Sequence, residues 1–336
     1  MKILFNKPAF FLEQKKNLEK VLKIGKLSGT GQYAQKCEKL LAKKIGLIDD
    51  QVLLTSSCTH ALEMCSSLLN ISKGDEVIVP SFTFSTSAQA FTNQGAKIVF
   101  ADIKKNDLNI DENKIEKLIS NKTKAIILVH YAGIPCNLTK IMKLSKKYKI
   151  NIIEDNAHGL FAKYKGKFLG TFGDFSTTSF HDTKNFSCGE GGALIINNKK
   201  YIKKANFIRD KGTDRSLFQK GLVNKYSWVN SGSSYVISEL QSSVLYTQLK
   251  NHNKIFKRRK FIWDYYKKKL RDWAIKNNVI VPEISPNDQI SYHIFYLIIK
   301  NKKIRDKLII YLKNNLIQSS FHYQPLHNTK KGKQVS

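Results

Sequence analysis

Residues able to do covalent chemistry gather in one stretch, Ser179-Phe180-His181-Asp182-Thr183-Lys184-Asn185-Phe186-Ser187-Cys188-Gly189-Glu190-Gly191-Gly192. Its lysine stands midway between a small hydroxyl residue and a glycine-rich turn, and Ala193-Leu194-Ile195-Ile196 behind it reads as a buried strand. A lysine that reacts with a carbonyl needs a confined, partly desolvated pocket, which lowers its pKa from about 10.4. The glycines allow backbone to approach a ligand closely, and Ser179 offers a hydroxyl to a phosphate. The competing reading is a solvated loop lysine in a chain with 57 Lys and Arg residues, so the decision must come from elsewhere in the sequence.

Two further stretches bear on it. Gln51-Val52-Leu53-Leu54-Thr55 reads as a strand feeding Ser56-Ser57-Cys58-Thr59 into a helix, where free N–H groups and the positive helix end can hold an anion. A simple N-cap by Ser57 or Thr59 fits that segment equally well. The strand Ile150–Asp155 ends on Glu154-Asp155, at the strand end where ligands of α/β sheets collect.

The elements that must position these residues follow a βαβ rhythm. Amphipathic helices are predicted at 10–26 and 34–45, ended by Gly25 and Gly46. Strands at 76–80, 97–100, 125–130 and 150–155 alternate with helices at 84–93, 112–120 and 138–147, the pattern of a mostly parallel sheet covered on both faces. A charged helix at 199–212, a polar and aromatic loop to Ser234 and one long or broken helix at 235–271 follow. Strands at 294–299 and 318–321 and a helix at 303–315 give the remainder an α+β character. The expected division is a large domain over 1–240 and a bridging helix with a small domain over 241–336. No GxGxxG follows the first strand, which argues against a dinucleotide fold.

Five scattered cysteines without a CxxC pair argue against a disulfide framework or a structural zinc site, and for a reducing cytoplasm. No run of about 18 apolar residues suggests a membrane span, and the N-terminus lacks signal-peptide features. The formal charge of +31 favours phosphate-bearing partners. The lysines are spread along the chain instead of forming a stripe, so nucleic acid is not expected and a sugar nucleotide or cofactor phosphate is.

Taken in order, Ser57-Cys58-Thr59-His60, Phe82-Thr83-Phe84, Glu154-Asp155-Asn156-Ala157-His158 and Ser179-Phe180…Lys184…Gly189-Glu190-Gly191-Gly192 resemble the DegT/StrS family of sugar-nucleotide aminotransferases, pyridoxal-phosphate enzymes of fold type I. The resemblance spans nearly the whole chain. Its supporting segments include Val129-His130-Tyr131-Ala132-Gly133, Lys211-Gly212-Thr213-Asp214-Arg215-Ser216 and Phe321-His322-Tyr323, and its nearest branch aminates TDP-4-keto-6-deoxy-D-glucose to the 4-amino-4,6-dideoxygalactose nucleotide.

The resemblance implies that Lys184 carries pyridoxal 5'-phosphate and shuttles the proton, while Asp155 sits under the pyridine nitrogen. It places His158 at the phenolic oxygen, Phe84 against the ring, and Ser179 with Thr59 and the backbone of His60 at the phosphate. Lys211, Arg215, Lys225, Tyr226 and His322 are the candidates for gripping the sugar diphosphate, with glutamate as amino donor and a homodimer that builds its sites at the subunit interface. Two departures stand out. Val236 replaces the Asn that many members reach across the interface, and Ser336 ends the chain short of the usual small domain. Competing readings are amination at the 3-keto position, a same-fold dehydratase (against which Lys184 speaks), an inactive cofactor-binding protein and a nucleic-acid-binding protein.

Overall fold

Short strands between positions 52 and 196, most of them apolar runs buried on both faces, build one seven-stranded sheet in the computed structural model, which describes residues 2–336. Two N-terminal helices, α1 (Leu12–Ile24) and α2 (Gln32–Ile45), lead into β1 (Val52–Thr55) and α3 (Cys58–Leu68). Then come β2 (Glu76–Pro80), α4 (Thr86–Thr92), β3 (Lys97–Ala101), β4 (Thr123–Val129), α5 (Leu138–Tyr148) and β5 (Asn151–Asp155). A small hairpin, β6 (Lys163–Tyr164) and β7 (Lys167–Phe168), precedes β8 (Phe175–Ser179) and β9 (Gly192–Ile196). The remainder is helical: α6 (Ile202–Arg209), α7 (Arg215–Gln219), α8 (Glu239–Lys250) and α9 (His252–Lys276), then the short β10 (Asp288–Gln289), α10 (Lys302–Asn314) and α11 (Lys330–Val335).

The strand order is β1-β9-β8-β5-β4-β2-β3, and only β9 runs against the rest. Successive side chains of a strand point to opposite faces, and the core divides accordingly. On β4, Ala125 and Ile127 pack with α3 and α4, while Ile126 and Leu128 pack with α5. On β9, Leu194 and Ile196 take the α3 side, and Ala193 and Ile195 the side of α2 and α8. The fold is therefore α/β, a mostly parallel sheet with helices on both faces, as the sequence pattern predicts.

Several expected elements differ. The helix at 112–120 shrinks to one 3-10 turn at Glu116–Leu118, because Asp111 turns the chain by accepting from the Asn113 N–H and so competes with helix formation. The strand expected at 294–299 reduces to a single bridge, Ile298 with Ile280, and that expected at 318–321 is absent, the one bridge there falling just before it, Ile317 with Ile3. The helix expected at 199–212 stops at Arg209, and Gly212 takes a left-handed φ of 75°. The long helix breaks at Asn251 into α8 and α9. Leu326 and Val335, near the end of the chain, pack on the α3 side of the large sheet.

Strand register sets the site. Thr55 and Ser179 each pair with Gly192, Asp155 pairs with Thr177, and Val129 pairs with Asp155. The ends of β1, β8, β5 and β4 thus share one sheet edge, and the β8–β9 connection that carries Lys184 lies over that edge.

Candidate active site

Asp155 ends β5 as a buried carboxyl. Its Oδ2 accepts from Ser87 Oγ at 2.7 Å and its Oδ1 from the Ala157 N–H at 3.2 Å. Burial pushes its pKa up, against the pull of Ser87, Ala157 and the Lys184 amine. Among the described residues it makes no ion pair within 4.0 Å. Lys184 sits in the loop after β8, where burial pushes its amine down, opposed by Cys58 and Asp155. Its Nζ has no hydrogen-bond acceptor among the described residues. A desolvated amine and a buried carboxylate without an ion-pair partner at one edge of the sheet suit an aldehyde at one end of a ring and a protonated ring nitrogen at the other.

Ser57 caps α3 by accepting from the His60 N–H at 3.1 Å. The N-cap reading of this helix start is the one the hydrogen bonds realise, with Ser57 as the cap. The cap consumes the His60 amide, and the first-turn N–H groups of Cys58 and Thr59 have no acceptor among the described residues. His60 therefore brings no free amide to a phosphate, and its ring is tied by Nδ1 to Ser56 Oγ at 2.6 Å. Gly192 makes this corner possible, since a Cβ there would lie 2.4 Å from the Cys58 nitrogen. Ser179, at the end of β8, accepts from the His181 N–H at 3.3 Å.

His158 accepts at Nδ1 from the Ala132 N–H at 3.2 Å, so the neutral ring carries its proton on Nε2. Burial, then the Lys184 charge, hold it neutral well below the usual histidine range. His322 joins the same cluster: its Nδ1 meets Tyr131 Oη at 3.2 Å and its ring stacks on Tyr323 at 4.4 Å. Burial and Lys184 push its pKa down as well. Phe84 is 59 % exposed, with Tyr323 6.4 Å away. Phe82 packs against Tyr131 and Tyr323 beside the site.

The remaining substrate candidates gather elsewhere. Lys211 and Arg215 both turn to Asp210, at 2.8 and 3.9 Å. Lys225 is exposed, and Tyr226 is exposed against Phe218. Among the described residues no hydrogen bond or ion pair joins these four to Lys184, and the bridges Asp210–Ser234 and Thr213–Trp228 fold their loop onto the end of α6.

The residues that sequence reasoning passed over are Ser87, Asn185, Ser291 and His293. Each is a single polar residue whose neighbours come from distant segments. Only Asn185, adjacent to Lys184, carried a local signal.

A buried carboxylate and a desolvated lysine at the carboxyl edge of this sheet define a pyridoxal-phosphate enzyme of fold type I. The DegT/DnrJ/EryC1/StrS aminotransferase family model matches residues 11–335, and the chain belongs to that family. It is 35% identical over 304 residues to the uncharacterized protein MJ1066 of Methanocaldococcus jannaschii, covering 88% of this chain and 77% of that one. It is 30% identical over 321 residues to GDP-perosamine synthase of Escherichia coli O157:H7, covering 95% and 84%. The PMP-form of Spr1654 from Streptococcus pneumoniae superposes with a TM-score of 0.90 at 25% identity, over 100% of this chain and 87% of that one, and the same protein is also solved in PLP-form. The protein is accordingly an aminotransferase that uses pyridoxal phosphate.

Proposed function

We propose that this aminotransferase aminates a keto-sugar nucleotide, with TDP-4-keto-6-deoxy-D-glucose as substrate, the 4-amino-4,6-dideoxygalactose nucleotide as product and glutamate as donor, in cytoplasmic synthesis of a surface polysaccharide. The observation that carries the reading is the placement of a buried Asp155 at the end of β5 beside β8, whose following loop carries Lys184, at one edge of the sheet. GDP-perosamine synthase, a relative by its printed name, supports a sugar nucleotide as the substrate class. The excess of 57 basic over 26 acidic residues suits a diphosphate.

When bound, pyridoxal phosphate supplies an electron sink for the carbon that loses its proton. Asp155, stripped of water and short of partners, holds a proton on the ring nitrogen. Ser87 fixes the carboxylate plane through its hydrogen bond to Oδ2. Lys184, lowered by burial, is more often the neutral base that takes a proton from one carbon and returns it to another. Such a positioned group is typically worth about 10²–10⁴-fold. His158 offers a donor at Nε2, locked by Ala132, and the Cys58 and Thr59 amides with Ser179 receive the phosphate.

The unit we propose is a homodimer. Phe84, expected against the cofactor ring, is 59 % exposed in one subunit, and Trp228 in the loop with Lys225 and Tyr226 is 79 % exposed. A second subunit would cover both and bring Lys211, Arg215, Lys225 and Tyr226 to a neighbour's cleft. The test is to offer the purified protein a panel of 3-keto and 4-keto sugar nucleotides with glutamate and to identify products by NMR. Amination only at the 3-position would overturn the substrate assignment, and no amination with any of them would overturn the activity.

A further inference from the structure

Lys184 lies inside a closed ring of hydrogen bonds that begins and ends on its own loop. The Asp182 carbonyl accepts from Asn6 Nδ2 at 2.8 Å. Asn6 Oδ1 accepts from Arg259 Nη2 at 2.9 Å, and Arg259 Nη1 reaches the His293 carbonyl at 3.4 Å. The His293 ring then meets Asn185 Oδ1 through Nδ1 at 2.9 Å. Asn185 is held in one orientation because its Nδ2 donates to the Ser291 carbonyl at 2.7 Å. Its Oδ1 therefore faces His293, and His293 must carry its proton on Nδ1.

The partners come from four separate parts of the chain: the N-terminal arm, the lysine loop, α9 and the Ser291–His293 segment. Arg259 makes no ion pair among the described residues, and burial lowers its pKa to about 10. Its cation is spent on two neutral oxygens, an arrangement that serves geometry more than attraction. The same segment reaches further into the site. The Ser291 hydroxyl donates to the His158 carbonyl, and the His293 ring lies 4.4 Å from that of His158.

We propose that this ring fixes the reach of the Lys184 amine, with His293 and Asn6 as positioning residues that act through Asn185 and Asp182. The inference rests on Lys184 being the amine that carries the cofactor. Without the ring the loop keeps its strand anchors at Ser179 and Gly192 and the Asn185–Ser291 hydrogen bond, but loses its ties to Asn6 and His293 on either side of the lysine. The amine then samples more positions, and small misplacements are costly to covalent chemistry.

The test uses the full cofactor-free chain and four variants: His293→Phe, His293→Asn (which keeps a donor where Nδ1 stands), Asn6→Ala, and Asn6→Ala with His293→Phe. Covalent capture of pyridoxal 5'-phosphate is followed by visible absorbance, and thermal unfolding confirms that each variant is folded. We expect His293→Phe and Asn6→Ala to slow capture and lower kcat by about tenfold, with KM for the keto-sugar nucleotide held within about threefold. His293→Asn should recover to within about threefold of wild type, and the double variant should be no slower than the worse single one, since one ring can be opened only once. Capture by His293→Phe at the wild-type rate, His293→Asn as slow as His293→Phe, or losses that multiply would overturn the proposal. Borohydride reduction and peptide mapping separate the two layers. A tag on Lys184 with unaffected variants removes only the ring, whereas a tag on another lysine removes the catalytic reading and the ring with it.

Discussion

Glu154, one residue before the expected cofactor aspartate, is the buried group whose replacement should cost most. Both it and His130 are fully buried. Its Oε1 accepts from the Phe172 and Gly173 N–H groups at 2.8 and 2.9 Å, and its Oε2 from the Gly170 N–H at 2.8 Å and His130 Nε2 at 3.0 Å. His130 accepts at Nδ1 from the Cys136 N–H, so it is a neutral donor and Glu154 is a lone buried charge. In Glu154→Gln the amide oxygen can keep the first pair of donors while its NH₂ faces the second. His130 cannot yield by moving its proton, because Nδ1 already faces an N–H. Losing two charge-assisted hydrogen bonds at about 1.5–3 kcal/mol each gives about 3–6 kcal/mol, a large part of a total of about 5–15 kcal/mol. Burial raises the Glu154 pKa, but the His130 N–H and the loop amides outweigh it and hold it below the usual value of 4.5. The sign follows: its stabilisation is complete above the unfolded-state value and is lost as pH falls through the lower folded value. Urea unfolding followed by circular dichroism should show the large loss at neutral pH, and a weaker acid dependence in the variant. A loss under about 1 kcal/mol would refute the account of Glu154 as an unreplaceable acceptor.

Further outcomes follow from the site and the glycines around it. Burial lowers the Lys184 amine, so capture of pyridoxal phosphate by the cofactor-free chain should rise with pH through a midpoint below 10.5, and Lys184→Ala should show no covalent capture at any pH. Asp155→Asn should lower kcat by about 10²-fold or more while Lys184 still captures the cofactor, as stopped-flow absorbance and steady-state rates would show together. Gly192→Ala puts a methyl 2.4 Å from the Cys58 nitrogen and should abolish cofactor retention on dialysis. Gly189→Ala meets nothing within 4 Å and pays only for its φ of 87°, about 1 kcal/mol of stability by thermal unfolding.

The sheet was legible because its strands are apolar runs bounded by turns, and their order along the chain implies parallel crossovers. The bounds of β2 at 76–80 needed nothing beyond Glu76 to Pro80. Elements without an apolar period were not legible. β8 reads Phe-Ser-Thr-Thr-Ser, four hydroxyl residues that are all buried, so neither face shows in the sequence. The expected helix at 112–120 had the right residue types but lost to a side chain, Asp111, that no periodicity reports. Ile317 pairs with Ile3 at the other end of the chain and Ile298 with Ile280 across a loop, so local propensity could not settle whether these segments form strands.

The site shows the same division for a different reason. Lys184, Asp155 and the start of α3 stood out because each lies within a residue or a loop of a strand end, and one sheet edge brings all such ends together, whereas His158 entered only through the resemblance. His322 joined them from the end of the chain only through the resemblance, since nothing local distinguishes it from a surface histidine. Asn6, Arg259 and His293 lie outside the sheet and act on the lysine through its neighbours in the loop. Strand order therefore explains where the reacting groups stand. How firmly the amine is held depends on the arm and α9, which the sheet does not contain. A substitution that spares every strand can thus still change the chemistry, and the variants of Asn6 and His293 measure that second dependence separately from the first.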